Sequence, residues 1–137
     1  MKMNSSKLLK ILASFSEEDF RQFKRAVESP FFSRSPHLLP LYHYLKPYYP
    51  HFDSPKLAKV KVFNKLFPGE DYVDIKLRNL FRELTRVAED FMVYRTLEKQ
   101  PLRKSQLLME CYGQASLGEL YEREAAKQTK TMSNSHY

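Results

Sequence analysis

The chain has 137 residues, of which 42% are hydrophobic and 14% aromatic, and this composition excludes a disordered polar chain. Its three glycines exclude the usual glycine-rich phosphate-binding loops, and its single cysteine excludes an internal disulfide. The formal net charge of +7 is spread along the chain without a basic tail, so an anionic partner stays open and is not specified.

Helix start signals recur along the chain. A side-chain oxygen at the N-cap position accepts a backbone N–H of the first helical turn, and Ser and Asp serve well there. Two of these candidates are followed directly by proline, which is favoured at the first helical position. The candidate caps in chain order are Ser6, Ser16, Ser35, Ser54, Asp74 and Ser116.

Prolines mark the helix ends, because the residue before a proline is pushed out of helical geometry. Stops are expected at Ser29–Pro30, Lys46–Pro47, Tyr49–Pro50, Pro68–Gly69 and Gln100–Pro101. Between them apolar residues recur every three to four positions, most regularly from Leu77 to Met92, and no stretch alternates as a strand does. The sequence therefore predicts an all-α fold, a compact bundle of about six to seven helices around a long central helix (about 75–98), ending in a helical hairpin.

The domain organisation follows from the lack of a long linker. We expect a single helical domain over residues 1–131 and a polar tail over 132–137. The hairpin at 102–131 has fewer apolar anchors than the rest, so the alternative is that it begins a further helical region. The chain would then be the N-terminal part of a larger helical protein.

Candidate catalytic and metal-binding residues are sparse. The four histidines, His37, His43, His51 and His136, include no i, i+4 pair, and zinc sites of the familiar kinds need such a pair or paired cysteines. Cys111 lies among apolar residues in LLMECY, so we expect a buried, inert thiol. Helix starts explain the acidic residues at 17–19 and 70–74. We predict no catalytic residue, no metal, no cofactor and no enzyme activity.

An arginine stripe offers the first candidate site. Arg78, Arg82 and Arg86 follow one another at i+4 steps, and Lys61 and Lys65 lie on the preceding helix. Such a row could follow phosphates or enter a major groove, as in a helix-turn-helix protein. The same helix carries acids that can pair with these arginines, and PGEDYVD is longer than a strict helix-turn-helix turn. DNA binding is therefore the alternative hypothesis.

An aromatic segment, LPLYHYLKPYYPHF, offers the second candidate site. It holds four tyrosines and three prolines in fourteen residues. Tyr44, Tyr48 and Tyr49 could form a partner-binding surface or stack bases of single-stranded nucleic acid. They could equally belong to a helix that packs on the core and ends in a proline-braced exit.

Two further stretches, FKRAVESPFFSRSPHLLPLYHYL and KVFNKLFPGEDYVDIKLRNLFRELTRVAEDFM, carry a resemblance. They resemble a family of uncharacterised all-helical Bacteroidota proteins with an F..F..SP(Y/F)F helix exit and an LFPG..Y.D..LRNL turn. The resemblance covers about Leu8 to Tyr94 and implies no known activity and no catalytic residues. Members of that family are longer, with further helices, which fits the weakly anchored hairpin.

The motif residues themselves have structural interpretations. We expect Ser29 and Pro30 to end a helix and Phe31 and Phe32 to fill the core. Tyr72 is expected to pack near the turn, and Asp74 to cap the long helix.

The functional prediction is a non-enzymatic protein–protein interaction or scaffold domain. Its partner would be another protein or a second copy of the chain, with nucleic acid as the alternative. No apolar run is long enough for a signal peptide or a membrane span, so we expect no membrane and a cytoplasmic location.

Overall fold

The computed structural model describes residues 6–134, and within them the secondary structure is entirely helical. The all-α prediction is confirmed. Short 3₁₀ turns lie at Lys46–Tyr48 and Pro55–Leu57. The α-helices in chain order are α1 (Lys7–Ser14), α2 (Glu17–Glu28), α3 (Leu38–Leu45), α4 (Lys59–Leu66), α5 (Asp74–Glu98), α6 (Pro101–Gln114) and α7 (Gly118–Asn134).

The chain divides into two compact units, one up to Met92 and one from Val93 onward, and the division falls inside α5. The predicted single domain over 1–131 stays a prediction. Helix α7 continues to Asn134, so the expected polar tail is helical at its start, and its last three residues lie outside the described range.

The first two helices begin where their serines predict. Ser6 Oγ accepts a hydrogen bond from the Leu9 amide at 3.2 Å, and Ser16 Oγ accepts one from the Asp19 amide at 3.1 Å. Ser54 instead caps a 3₁₀ turn, and α4 begins later than expected, at Lys59.

Helix α5 corrects one expected cap. Asp74 is the first helical residue, and the Val73 carbonyl accepts the bond from the Leu77 amide that opens the helix. Val73 therefore holds the cap position, where a valine side chain offers no acceptor. The Asp74 carboxylate contacts neighbouring side chains instead.

The first unit has an aromatic core. Phe23 of α2 is fully buried, and its ring centroid lies 5.6 Å from Phe15, 5.9 Å from Tyr42 and 5.6 Å from Phe91. Aromatic pairs at such distances contribute about 1 kcal/mol each beyond the burial of their area. This cluster holds α2, α3 and α5 together with the turn after α1.

The second unit is built differently, because no residue from Val93 to Lys130 is fully buried. Helices α6 and α7 form an antiparallel hairpin with a polar seam. Ser105 Oγ donates to Glu124 Oε2 at 2.6 Å and accepts from Gln128 Nε2 at 3.4 Å. The hairpin is held by these contacts and by half-exposed apolar side chains.

Among residues 6–134, no helix is both long and apolar enough to span a bilayer.

Candidate interaction surfaces

The predicted arginine stripe lies exposed along α5. Arg78 Nε lies 2.9 Å from Asp74 Oδ2, and Arg86 Nη1 lies 3.5 Å from Asp90 Oδ2. Arg82, between them, has no hydrogen-bond or ion-pair partner among the described residues. Two of the three guanidinium groups are thus paired within one helical turn, which weakens the field a phosphate would meet.

Arg86 has a second contact that fixes its position. Its Nη2 donates to the backbone carbonyl oxygen of Phe32 at 3.3 Å. This bond joins α5 to the turn that follows α2. Arg86 therefore supports the fold of the first unit, and sequence spacing alone gave no sign of this role.

The two predicted lysines, Lys61 and Lys65, are exposed on α4, and within residues 6–134 neither has an ion-pair partner. Other lysines near this turn are engaged. Lys59 Nζ lies 3.7 Å from Asp74 Oδ1, and Lys76 Nζ lies 2.8 Å from Glu70 Oε1. The basic charge around α4 and α5 is therefore interrupted by acids.

A small polar cluster surrounds the start of α5. The Tyr72 hydroxyl donates to Asp74 Oδ1 at 2.6 Å, which lowers the pKa of the Asp74 carboxyl, and the positive charges of Lys59 and Arg78 act in the same direction. The same bond raises the pKa of the Tyr72 hydroxyl. These contacts fix the turn between α4 and α5.

The three tyrosines of the predicted partner surface are half-buried against the core. The Tyr44 hydroxyl donates to the Lys56 carbonyl oxygen, and the Tyr49 hydroxyl donates to the Phe15 carbonyl oxygen. Tyr49 also stacks on Phe20 with a centroid distance of 4.2 Å, and Tyr48 lies 6.2 Å from Tyr44. These contacts favour the structural alternative, while the partner surface stays a prediction.

The prediction that Phe31 fills the core is wrong, because 93% of this residue is exposed. Its neighbour Phe32 is half-buried against the core. Ser29 fixes this turn, because its carbonyl oxygen accepts from the amides of Phe32 and Ser33 and its Oγ from that of Phe31. Adjacent residues of a turn point in different directions, so only one ring reaches the core.

The hairpin carries an apolar surface that the sequence did not single out as a site. Its large exposed apolar residues are Leu107, Leu108, Leu117, Leu120 and Tyr121. On α6, Lys104, Leu107, Leu108 and Cys111 follow i, i+3, i+4, i+7 spacing and are all exposed. We call these four residues the α6 stripe.

The prediction that the Cys111 thiol is buried is therefore wrong, because Cys111 is exposed. Its apolar neighbours in the sequence lie on an open helix face instead of in a core. A different face of α6 is covered: Ser105 bonds to side chains of α7, and Ser105, Met109 and Tyr112 are all half-buried. The signal for the α6 stripe was its helical spacing, but spacing cannot tell a covered face from an open one.

Among residues 6–134, no cluster of three or more His, Cys, Asp or Glu side chains could hold a metal ion. The chain matches no protein-family model, no curated protein and no solved structure. The resemblance to the Bacteroidota family stays a prediction.

Proposed function

We propose that the protein is a non-enzymatic interaction or scaffold domain that binds another protein chain through the apolar surface of α6 and α7. The observation that carries the proposal is the hairpin itself. It has no fully buried residue between Val93 and Lys130, yet it exposes Leu107 and Leu108 side by side.

The hairpin lacks the burial of an apolar face that stabilises most helices in proteins. Isolated short helices are marginal in water, and helices in proteins gain most of their stability by packing an apolar face. Leu107 is 44% exposed and Leu108 is 38% exposed. Fully burying a leucine stabilises by roughly 1.5–3 kcal/mol, so covering the remaining area contributes on the order of 1 kcal/mol for each. A partner that covers this face would bury these two leucines and so supply the apolar packing that the hairpin lacks.

The polar side chains of the hairpin support an interaction surface as well. Ser105, Glu124 and Gln128 bond with one another between the helices and leave the leucines outside. A polar seam gives a hairpin its register but little free energy. The apolar side chains on the outer face are thus available to a partner.

Affinity capture from the native cell, with a tagged full chain and mass spectrometry, tests this function. We expect one or a few proteins to be retained in stoichiometric amount. Leu107→Glu should abolish retention, because it places a charge in the covered face. Gln106→Glu is the matched control, since Gln106 is exposed on α6 outside the α6 stripe. Equal retention by both variants, or retention of neither a different protein nor the untagged chain itself, would overturn the proposal.

A second candidate function is DNA binding through α5 and α4. The observation in its favour is that Arg82, Lys61 and Lys65 are exposed and lack partners among the described residues. The net charge of +7 agrees with an anionic partner. The ion pairs of Arg78 and Arg86, and the bond from Arg86 to Phe32, count against it.

Fluorescence anisotropy with a random labelled DNA duplex separates the two functions. Phosphate contacts lose affinity by roughly 0.9 log unit per log unit of salt for each contact. If α5 binds DNA, affinity should fall steeply with salt and be lost when Arg82, Lys61 and Lys65 become Ala. We expect no binding near physiological salt, and loss of partner capture by Leu107→Glu with unchanged DNA behaviour.

A further inference from the structure

We infer that the partner of the hairpin is a second copy of the same chain. In this arrangement the α6 stripes of two copies pack against each other in antiparallel orientation, and the two hairpins form a four-helix bundle. The inference rests on the proposed interaction function and names its partner. It is argued from the distribution of charge along the hairpin and from the position of the leucines on α6.

The hairpin is electrically polarised along its length. Ser105 bonds to both Glu124 and Gln128, so the open half of the hairpin comprises residues 99–107 and 124–130. This half contains five basic residues and one acidic one: Lys99, Arg103, Lys104, Lys127, Lys130 and Glu124. The half at the loop, residues 108–123, contains three acidic residues and one basic one: Glu110, Glu119, Glu122 and Arg123.

This polarity selects one orientation of a second copy. An antiparallel pair places the basic open end of each hairpin beside the acidic loop end of the other. A parallel pair would place basic against basic and acidic against acidic. Complementary potentials favour the first, and like charges held together disfavour the second.

The position of the leucines agrees with this arrangement. Helix α6 has 14 residues, from Pro101 to Gln114, and its midpoint falls between Leu107 and Leu108. In a two-fold symmetric interface, a residue i that contacts j is matched by j contacting i. A two-fold axis at the midpoint brings the leucines of the two copies together at the centre.

The same axis also determines which residues of the two copies face each other at the ends of the α6 stripe. Lys104 and Cys111 lie equally far from the midpoint, so Lys104 of each copy faces Cys111 of the other. Within one chain they are seven residues apart on the helix, which is about 10.5 Å of axial rise. Disulfides need Cα atoms about 4.4–6.8 Å apart, so a cysteine at 104 cannot bond to Cys111 of its own chain.

The oligomeric state of the purified full chain is the first test. Sedimentation velocity over a concentration series should show a monomer–dimer equilibrium. Leu107→Glu should shift it to monomer by at least tenfold in dissociation constant, while Gln106→Glu should leave it unchanged. Circular dichroism on both variants checks that the helices remain. A chain that is monomeric at every concentration would overturn the inference.

Disulfide trapping is the second test, and it reports orientation. Lys104→Cys, with Cys111 retained, should give a covalent dimer under mild oxidation. The unsubstituted chain, with Cys111 alone, should not, and neither should Lys104→Cys combined with Cys111→Ser. Ready dimerisation through Cys111 alone would indicate a parallel pair and would contradict the antiparallel arrangement.

The two proposals fail in different ways. If the chain is a monomer but native-cell capture retains a different protein through Leu107, the interaction function stands and the second-copy inference is wrong. If neither self-association nor capture depends on Leu107, both are wrong. A dimer that is insensitive to Leu107→Glu would also exclude the hairpin as its interface.

Discussion

Arg86 donates from Nη2 to the Phe32 carbonyl oxygen at 3.3 Å, although the two residues are 54 positions apart in the chain. Arg82, one turn earlier on α5, makes no comparable contact among the described residues. The arginine stripe therefore combines at least two different roles in one regular spacing. This difference can be measured in the folded protein without any ligand.

We expect Arg86→Ala to lower the free energy of unfolding by about 1 kcal/mol, since it removes the hydrogen bond that joins α5 to the Phe32 carbonyl oxygen. Arg82→Ala should change it by less than about 0.5 kcal/mol, as exposed substitutions usually do. Urea denaturation followed by circular dichroism measures both. Equal losses for the two variants would show that the Phe32 contact contributes nothing.

The neighbouring phenylalanines give a second pair. Phe31→Ser should alter the free energy of unfolding by less than about 0.5 kcal/mol, because its ring is exposed. Phe32→Ser should lower it by about 1 kcal/mol, since a half-buried ring loses part of its burial energy. The same denaturation experiment serves, and the reverse order of effects would mean that Phe31 is the packed ring.

The start of α5 should respond to pH. The folded-state pKa of Asp74 lies below its ordinary value, so the unfolded chain binds more protons in acid than the folded chain does. The stabilisation is fully present above the ordinary aspartate pKa of about 3.9 and is lost as pH falls through the lowered value.

Asp74→Asn should therefore lower stability at neutral pH, and its difference from the unsubstituted chain should shrink below about pH 4. Asp71→Asn, at an exposed neighbouring position, is the control. Tyr72→Phe should raise the pKa of Asp74, which carboxyl NMR titration would detect. A pKa unchanged by Tyr72→Phe would argue against the hydroxyl as the main cause.

The cap position of α5 offers a stabilising change. Val73→Ser supplies the missing acceptor for a first-turn amide and should raise the free energy of unfolding by about 1 kcal/mol. Val60→Ser is the matched control, because Val60 is about as exposed as Val73 but lies inside α4. Thermal denaturation of both would decide, and a gain for neither would place the helix start elsewhere.

Local chemistry in the sequence predicted much of the fold. Ser6 and Ser16 cap the helices they precede, and the serine–proline pair at residues 29 and 30 follows the end of α2. These signals act over three or four residues, so they can be recognised in one sequence. The apolar spacing of α5 is also a local signal, and it predicted the buried face of this helix, although Met92 at its end is exposed.

The parts that failed depend on distant residues. Nothing near Tyr49 in the sequence says that its hydroxyl reaches the Phe15 carbonyl, 34 residues away. Phe31 and Phe32 are chemically equal, and only the path of the turn decides which ring is covered. Cys111 has the spacing of a core residue, but its helix faces no core on that side. Whether an apolar stripe is covered is a tertiary property, and so is any site built on it.

Tyr42, which is buried, and Tyr44, which is half-buried, affect the stability of the chain at alkaline pH. Burial, and then the charge of Glu28, raises the pKa of the Tyr42 hydroxyl, while burial and then Tyr48 raise that of Tyr44. The folded chain holds these protons more tightly than the unfolded chain. Their stabilisation is thus complete below the ordinary tyrosine pKa of about 10 and is lost as pH rises through the raised values.

The chain has no tryptophan, so no indole absorbance overlaps the phenolate absorbance in its ultraviolet spectrum. Tyr42, Tyr44 and Tyr72, whose pKa values are raised, should ionise above about pH 10, and ionisation of the buried Tyr42 should accompany the loss of helical circular dichroism. The phenolate absorbance of its own tyrosines therefore reports the opening of the aromatic core.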